Sequence, residues 1–174
     1  GGDFNIYSNN SSSEPAFDML TVAGSDTDGQ LFDPINRIGH WHNNNAFADV
    51  HTQSPRTTQF GGGAHGGMDD RFDWIFVSAA VMEDTYDMTY IDDSYLAFGN
   101  DGQHFNQAIN SGTNNAVSQT MADALHAASD HLPVFASFRF PSGDASNFHL
   151  IITEIMPNPA AVSDSRGEWF EILN

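Results

Sequence analysis

Apolar positions along this chain fall into short dense runs separated by long polar stretches. The densest run lies in residues 72–81, where Phe72, Trp74, Ile75, Phe76, Val77 and Val81 are aromatic, branched or both, which predicts a buried strand. Residues 131–140, with Leu132, Val134, Phe135, Phe138 and Phe140, predict another, and residues 86–98 one or two more. A strand end is expected over residues 2–8, running into a polar turn at 8–13, and a short strand over 46–50 that leads into His51-Thr52-Gln53. Helical spacing shows twice. Ala16, Phe17, Met19, Leu20 and Val22 follow an acidic start at Glu14, and Val117, Met121, Ala122, Leu125 and Ala128 form a stripe with Asp123 on the other face. Residues 23–46 and 100–115 are rich in Gly, Asp and Asn and read as loops, as do the glycines of 61–67.

A second change of pattern comes near residue 141. The segment 141–149 opens with Pro-Ser-Gly-Asp-Ala-Ser-Asn, a linker composition, and residues 150–174 resume with two apolar runs, Leu150-Ile151-Ile152 to Met156 and Trp169-Phe170 to Leu173. With 174 residues, 40% of them hydrophobic, the chain has material for one core and little for two complete domains.

Charge narrows the function classes. Five Lys+Arg, all of them arginine, stand against 23 Asp+Glu, a formal net charge of −18. Such a surface repels free polyanions and is the reverse of the basic footprint of a nucleic-acid binder. Bound divalent cations or high salt would relieve that repulsion, so the charge argues against metal-free binding of DNA and not against a metal-dependent phosphodiesterase. No cysteine is present, so disulfides carry no information on compartment. No run reaches the ~18 apolar residues of a membrane span, and no signal peptide is visible. Abundant Asn, Ser, Thr and Gly without Lys suit an extracellular bacterial protein.

The chemistry-bearing residues sit at the ends of apolar runs, in three motifs. In Gly2-Asp3-Phe4-Asn5 the polar side chains alternate around Phe4, so extended geometry puts Asp3 and Asn5 on one face. An Asx turn at a strand end is the plainer account of the same residues. Asp73, in Asp70-Arg71-Phe72-Asp73-Trp74-Ile75, is flanked by side chains that would bury it, and a buried carboxylate needs a partner. Arg71, two positions away on the same face of a strand, is one candidate. The third motif, Ser129-Asp130-His131-Leu132-Pro133-Val134, sets an Asp-His pair before a strand.

In this order the motifs resemble the second half of an endonuclease/exonuclease/phosphatase domain, the deoxyribonuclease I-like family. The resemblance covers residues 1–140 and implies an α/β (α+β) fold: the C-terminal half of an α/β sandwich with mostly antiparallel strands. It implies divalent-metal-dependent phosphodiester hydrolysis with Mg2+, or Mn2+ or Ca2+. Asp3 would bind metal or align water, Asn5 would contact phosphate, and Asp130 would join the metal network. His131 would be the acid–base group at the scissile phosphate and Asp73 its orienting partner. The family's first half supplies an Asn, the principal Glu ligand and a His or Tyr, which no residue here replaces. The chain is therefore expected to be an incomplete unit, with an exposed apolar face and weak Mg2+ binding.

A branch of that family also resembles this chain at His51-Thr52-Gln53-Ser54-Pro55-Arg56 and at Asn100-Asp101-Gly102-Gln103-His104, making His51, Arg56 and His104 candidates for substrate contact. Loop residues bonded to their own backbone are the alternative. Residues 150–174 resemble the first strands of a lamin-tail domain, an immunoglobulin-like β module. The implied function is a secreted bacterial nuclease acting on DNA or RNA. A phosphatase or phospholipase of small or lipid phosphoesters, and a non-catalytic extracellular scaffold or adhesion module, are the alternatives. Of the remaining signals, Asp26-Thr27-Asp28-Gly29 lacks the ligand positions of a calcium loop and reads as an acidic turn. His40-Trp41-His42 could ligate a metal only with partners that the sequence does not identify. Glu83-Asp84 and Asp92-Asp93 read as a solvated edge.

Overall fold

The computed structural model describes residues 1–140 except 11, 26, 60 and 85–87, and the backbone of residues 151–156 and 169–173. Contacts divide the chain into two units, Gly1–Phe140 and Pro141–Asn174. The expected linker at 141–149 lies outside the described residues.

The first unit is a mixed α/β structure built from short antiparallel ladders. Strand β1 (Gly2–Asp3) pairs with β3 (Asp73–Trp74), β2 (Leu31–Phe32) with β4 (Val77–Ser78), β5 (Thr89–Tyr90) with β8 (Phe138–Arg139), and β6 (Leu96–Ala97) with β7 (Val134–Phe135). Each is two residues long, so neither a continuous sheet nor a two-layer sandwich is resolved by these ladders. Helix α1 (Ala16–Thr21) and helix α3 (Gln119–Ala128) occupy the two stretches with helical spacing. Ser118 caps α3 by accepting a hydrogen bond from the Met121 amide, and Ala122 and Leu125 turn its apolar stripe inward.

Three expectations are corrected. Residues 46–50 are not a strand but part of a 3-10 turn, Asn45–Val50, which the Asn44 side chain caps through the Ala46 amide. The run 72–81 is not one strand: β3 and β4 are followed by helix α2 (Ala79–Met82), where Ala79 and Ala80 favour the helical state. The run 131–140 is likewise split into β7 and β8.

Two apolar clusters organise this unit. One gathers Ile6, Phe17, Trp41, Val50 and Trp74, with Phe4 and Phe76 packed on it. Trp74 meets Trp41 edge-on, with ring centroids 4.8 Å apart, and stacks parallel to Phe76 at 5.1 Å. The second cluster is Met68, Ile109, Leu125 and Leu132. An uncovered apolar face was expected on both long runs, yet Phe72, Trp74 and Val77 are buried within the unit. On the other run Phe135 and Phe140 are more than half exposed, and Phe135 stands opposite Leu96, itself exposed.

An ion pair sits at the edge of the first cluster. Both Arg71 Nη atoms donate to the Asp33 carboxylate at 2.8 Å, and both side chains are fully buried. The Arg71 guanidinium also lies 3.5 Å over the Trp74 ring. Arg71 is therefore committed to Asp33, and Asp73 needs another partner.

In the second unit, β9 (Ile151–Met156) pairs antiparallel with β10 (Trp169–Leu173), with an irregularity between Glu171 and Ile172. These are the two apolar runs identified after the linker.

Candidate functional site

Strand β3 delivers Asp73, and the segment entering β7 delivers His131. The two side chains meet with His131 Nδ1 2.7 Å from Asp73 Oδ2. A carboxylate accepts only, so Nδ1 carries the proton it donates to Asp73, and in the neutral ring Nε2 keeps a lone pair. Asp73 is set in place from behind: Thr52 Oγ1 accepts hydrogen bonds from the Phe72 and Asp73 amides, and Tyr95 Oη donates to the Asp73 carbonyl.

Strand β1 lies alongside β3 with Asp3 opposite Asp73, which brings the first motif to the same place. Asp3 Oδ2 is 4.0 Å from His131 Nε2. The chain turns sharply after Asp3, because Asn5 has φ of +51°, a left-handed conformation that Asn tolerates better than most residues. The Asn5 amide donates to Asp3 Oδ1 at 2.9 Å and Asn5 Nδ2 donates to Oδ2 at 3.2 Å. The structure thus bears out the Asx turn and corrects the extended alternation, which ends at Asp3.

Asp130 takes up the glycine-rich loop. Its Oδ2 accepts from the Ala64 amide at 2.6 Å, and a Cβ on Gly63 would lie 2.8 Å from the carboxyl group, so a larger residue there would push the Asp130 side chain aside. Its second oxygen has no such bond among the described residues.

The electrostatics follow from this gathering. Burial alone would lower the His131 pKa, but the Asp73 hydrogen bond and the charges of Asp73, Asp3 and Asp130 outweigh it and hold the imidazole above its ordinary value. Burial pushes the Asp3 carboxyl up, helped by the charges of Asp73 and Asp130 and opposed by the Asn5 amide and His131. His131 and Asp3 keep part of their surface open, with side chains 21% and 39% exposed. Asp3 and Asp130 are the carboxylates that the resemblance assigns to a metal, and both Asp3 oxygens accept hydrogen bonds from Asn5.

Comparison with protein-family models, curated proteins and solved structures found no match to this chain. What the site can do must therefore be argued from its own geometry and from the three motifs.

The three candidate substrate contacts are placed elsewhere, and this corrects the expectation for them. His51 is fully buried, with Nε2 2.9 Å from the Trp41 carbonyl and Nδ1 3.3 Å from that of Met68, and burial pushes its pKa down. Arg56 is buried, and its Nε donates to the His126 carbonyl at 2.8 Å. His104 is buried between Asp101 Oδ1 at 2.8 Å and the Ser111 carbonyl at 2.9 Å. All three hold irregular backbone together, and burial keeps them from a substrate in solvent.

Two features go beyond the sequence reading, which left Gln53 without a role and His42 without identified partners. Gln53 Nε2 lies 2.6 Å from His131 Nε2, so the amide donates to the very lone pair that the acid–base role requires. Its place in the HTQSPR stretch was visible, but nothing in the pattern ties it to a residue 78 positions away. The second feature is the group His42, Asp69 and Asp70, whose ligand atoms all lie within 4.8 Å of one another. Here His42 Nδ1 is 2.7 Å from Asp70 Oδ1.

Burial first, and then the Asp70 charge, raise the Asp69 pKa from 3.8 to about 6. A carboxyl whose folded pKa lies above its unfolded value stabilises the fold while protonated, and that contribution is lost as pH rises through about 6. Asp69→Asn mimics the protonated form. In chelator-treated protein it should raise the melting temperature at pH 8 and leave it nearly unchanged at pH 4, as scanning calorimetry can check. An equal shift at both values would mean that Asp69 is not strained by its charge.

Proposed function

We propose that this chain carries part of the centre of a divalent-metal-dependent phosphodiesterase of the endonuclease/exonuclease/phosphatase type, a nuclease as the resemblance implies and a secreted bacterial protein as the composition suggests. The observation that supports it best is the His131–Asp73 hydrogen bond of 2.7 Å with Asp3 4.0 Å from the opposite ring nitrogen. A solvent-reachable imidazole, oriented at one nitrogen and next to a second carboxylate at the other, is the arrangement an acid–base group at a phosphate needs.

In this reading Asp73 fixes the proton on Nδ1 and offsets the charge that develops on the ring. His131 Nε2 takes the proton of the attacking water, or, as imidazolium, donates to a phosphoryl oxygen. Gln53 occupies Nε2 beforehand and must yield it to water or phosphate. Asn5, held by its turn against Asp3, presents its amide to the phosphate. Asp3 would hold the cation with Asp130 beside it, and a bound Mg2+ supplies positive charge to the phosphoryl oxygens. The deoxyribonuclease I-like sandwich belongs to the same proposal, since short antiparallel ladders with two helices are compatible with it.

The formal charge of −18 favours a small or lipid phosphoester over a long polyanion, unless cations screen it. Substrate panels decide. The full-length polypeptide carrying this sequence should cleave duplex DNA, RNA or a simple phosphodiester with Mg2+ and stop in EDTA. Cleavage of nucleic acid supports the nuclease, and cleavage confined to small or lipid esters supports the other hydrolase class. Inertness toward all of them with Mg2+, Mn2+ and Ca2+ would sink the catalytic reading in favour of a scaffold.

A further inference from the structure

The His42, Asp69 and Asp70 group is made by a local device. Consecutive side chains in a regular strand point to opposite faces, so Asp69 and Asp70 should diverge. Instead the amides of both residues donate to one carbonyl, that of Gln53, at 2.9 and 3.0 Å. Two residues thus stand against one, as in a β-bulge, and the alternation is broken. Both carboxylates reach the same place. The His42 loop is tied to it on both sides: the Trp41 and His42 amides donate to the Tyr7 carbonyl, and the Asn43 amide donates to the Asp69 carbonyl at 2.8 Å.

The group is built of unbalanced charge. Asp70 is 6% exposed, and among the described residues only its Oδ1 has a hydrogen-bond partner, His42. No arginine among the described residues forms an ion pair with either carboxylate. Holding a buried carboxylate beside a second one is costly without a cation. The single imidazole present is half exposed.

We propose that His42, Asp69 and Asp70 bind a divalent transition-metal cation, Zn2+ or Mn2+, at a site separate from the His131 centre. One imidazole nitrogen with two carboxylates suits these ions better than Mg2+ or Ca2+, which take oxygen ligands. Ligand bonds of about 2.0–2.2 Å require the three donor atoms to sit about 3–4 Å apart, a short closure from the observed grouping. The ion takes the place of the His42–Asp70 hydrogen bond, and solvent reaches the open side at His42. It fastens the loop before the Asn45–Val50 turn to the segment that runs into Asp73.

The test uses the whole chain, freed of metal by chelation, with Zn2+ binding followed by calorimetry and Mn2+ binding by electron paramagnetic resonance. The expected result is saturable binding of one of these ions that survives Asp3→Asn combined with Asp130→Asn. His42→Gln and Asp69→Asn should each weaken it by about 10-fold or more. Absence of saturable binding overturns the proposal, as does binding that both variants leave unchanged or that only the Asp3/Asp130 pair removes. Should a variant misfold, X-ray absorption of the Zn2+-loaded Asp3→Asn, Asp130→Asn chain decides. A shell of one imidazole with oxygens supports the site, and a shell without imidazole refutes it.

Discussion

His131→Ala in the full-length polypeptide should lower turnover of its phosphodiester substrate by on the order of 10²-fold or more, with a much smaller change in KM. The loss follows from removing the only described side chain that has a carboxylate at one ring nitrogen and a second carboxylate near the other. Asn5→Ala should act in the same sense through the phosphate contact. Asp73→Asn keeps the shape of the pair and removes its charge, so it should lower turnover and also shift the acidic limb of the pH–rate profile to lower pH. That sign follows from the cause of the raised His131 pKa, to which the Asp73 hydrogen bond and charge contribute most against the lowering effect of burial. If His131→Ala and Asn5→Ala both kept wild-type rates on every cleaved substrate, the motifs would be scaffold and not machinery.

Arg71→Leu should be the most destabilising single change near the site. The substitution strands the Asp33 carboxylate in the interior with neither Nη donor, and breaking a buried pair in this way costs on the order of 3–5 kcal/mol. It also removes the cation lying 3.5 Å over Trp74. Against a total stability of typically 5–15 kcal/mol, the variant should lose much of its urea resistance. The double change Arg71→Leu with Asp33→Leu removes the stranded charge and should recover a large part of the loss. Urea unfolding of the two variants measures this directly. Equal losses in both would show that packing on Trp74, and not the uncompensated carboxylate, is what Arg71 supplies.

These residues also show what could be read from the sequence. The three motifs identify Asp3, Asn5, Asp73 and His131, and the structure brings them together: Asp73 sits beside buried Trp74, His131 beside buried Leu132, and the pairing of β1 with β3 sets Asp3 and the turn to Asn5 against them, while Asp130 turns to the glycine-rich loop. Helix α3 was legible too: its stripe repeats at helical spacing and Ser118 precedes it. Pairing was less legible. Arg71 and Asp73 share a face on a regular strand, yet Arg71 turns to Asp33, 38 positions earlier, because a fully buried guanidinium needs a bidentate partner and Asp73 is taken. Gln53 and the Asp69–Asp70 bulge were invisible, since contacts between distant irregular segments leave no period in the sequence. Polarity misled at His51, Arg56 and His104. A Gly- and Asn-rich stretch reads as solvated loop, but here its backbone is folded inward and side chains satisfy it. Asn100 Nδ2 donates to the carbonyls of Ala48 and His51, and Asn114 Nδ2 to those of Gly99 and Ile109.

The exposed pair Leu96 and Phe135 belongs to the same lesson. The incomplete-unit expectation gave residues 131–140 an uncovered apolar face, and one side of that run is open in the described unit.

Everything proposed for catalysis depends on His131 being an acid–base group tuned by Asp73. Its titration, followed by NMR through the imidazole nitrogens in the wild-type chain and in Asp73→Asn, tests that most directly. The expected result is a wild-type pKa above the ordinary histidine value of about 6.5, with the proton of the neutral ring on Nδ1, and a clear fall in Asp73→Asn. A wild-type His131 that titrates at or below the ordinary value, and that Asp73→Asn does not move, would contradict the account.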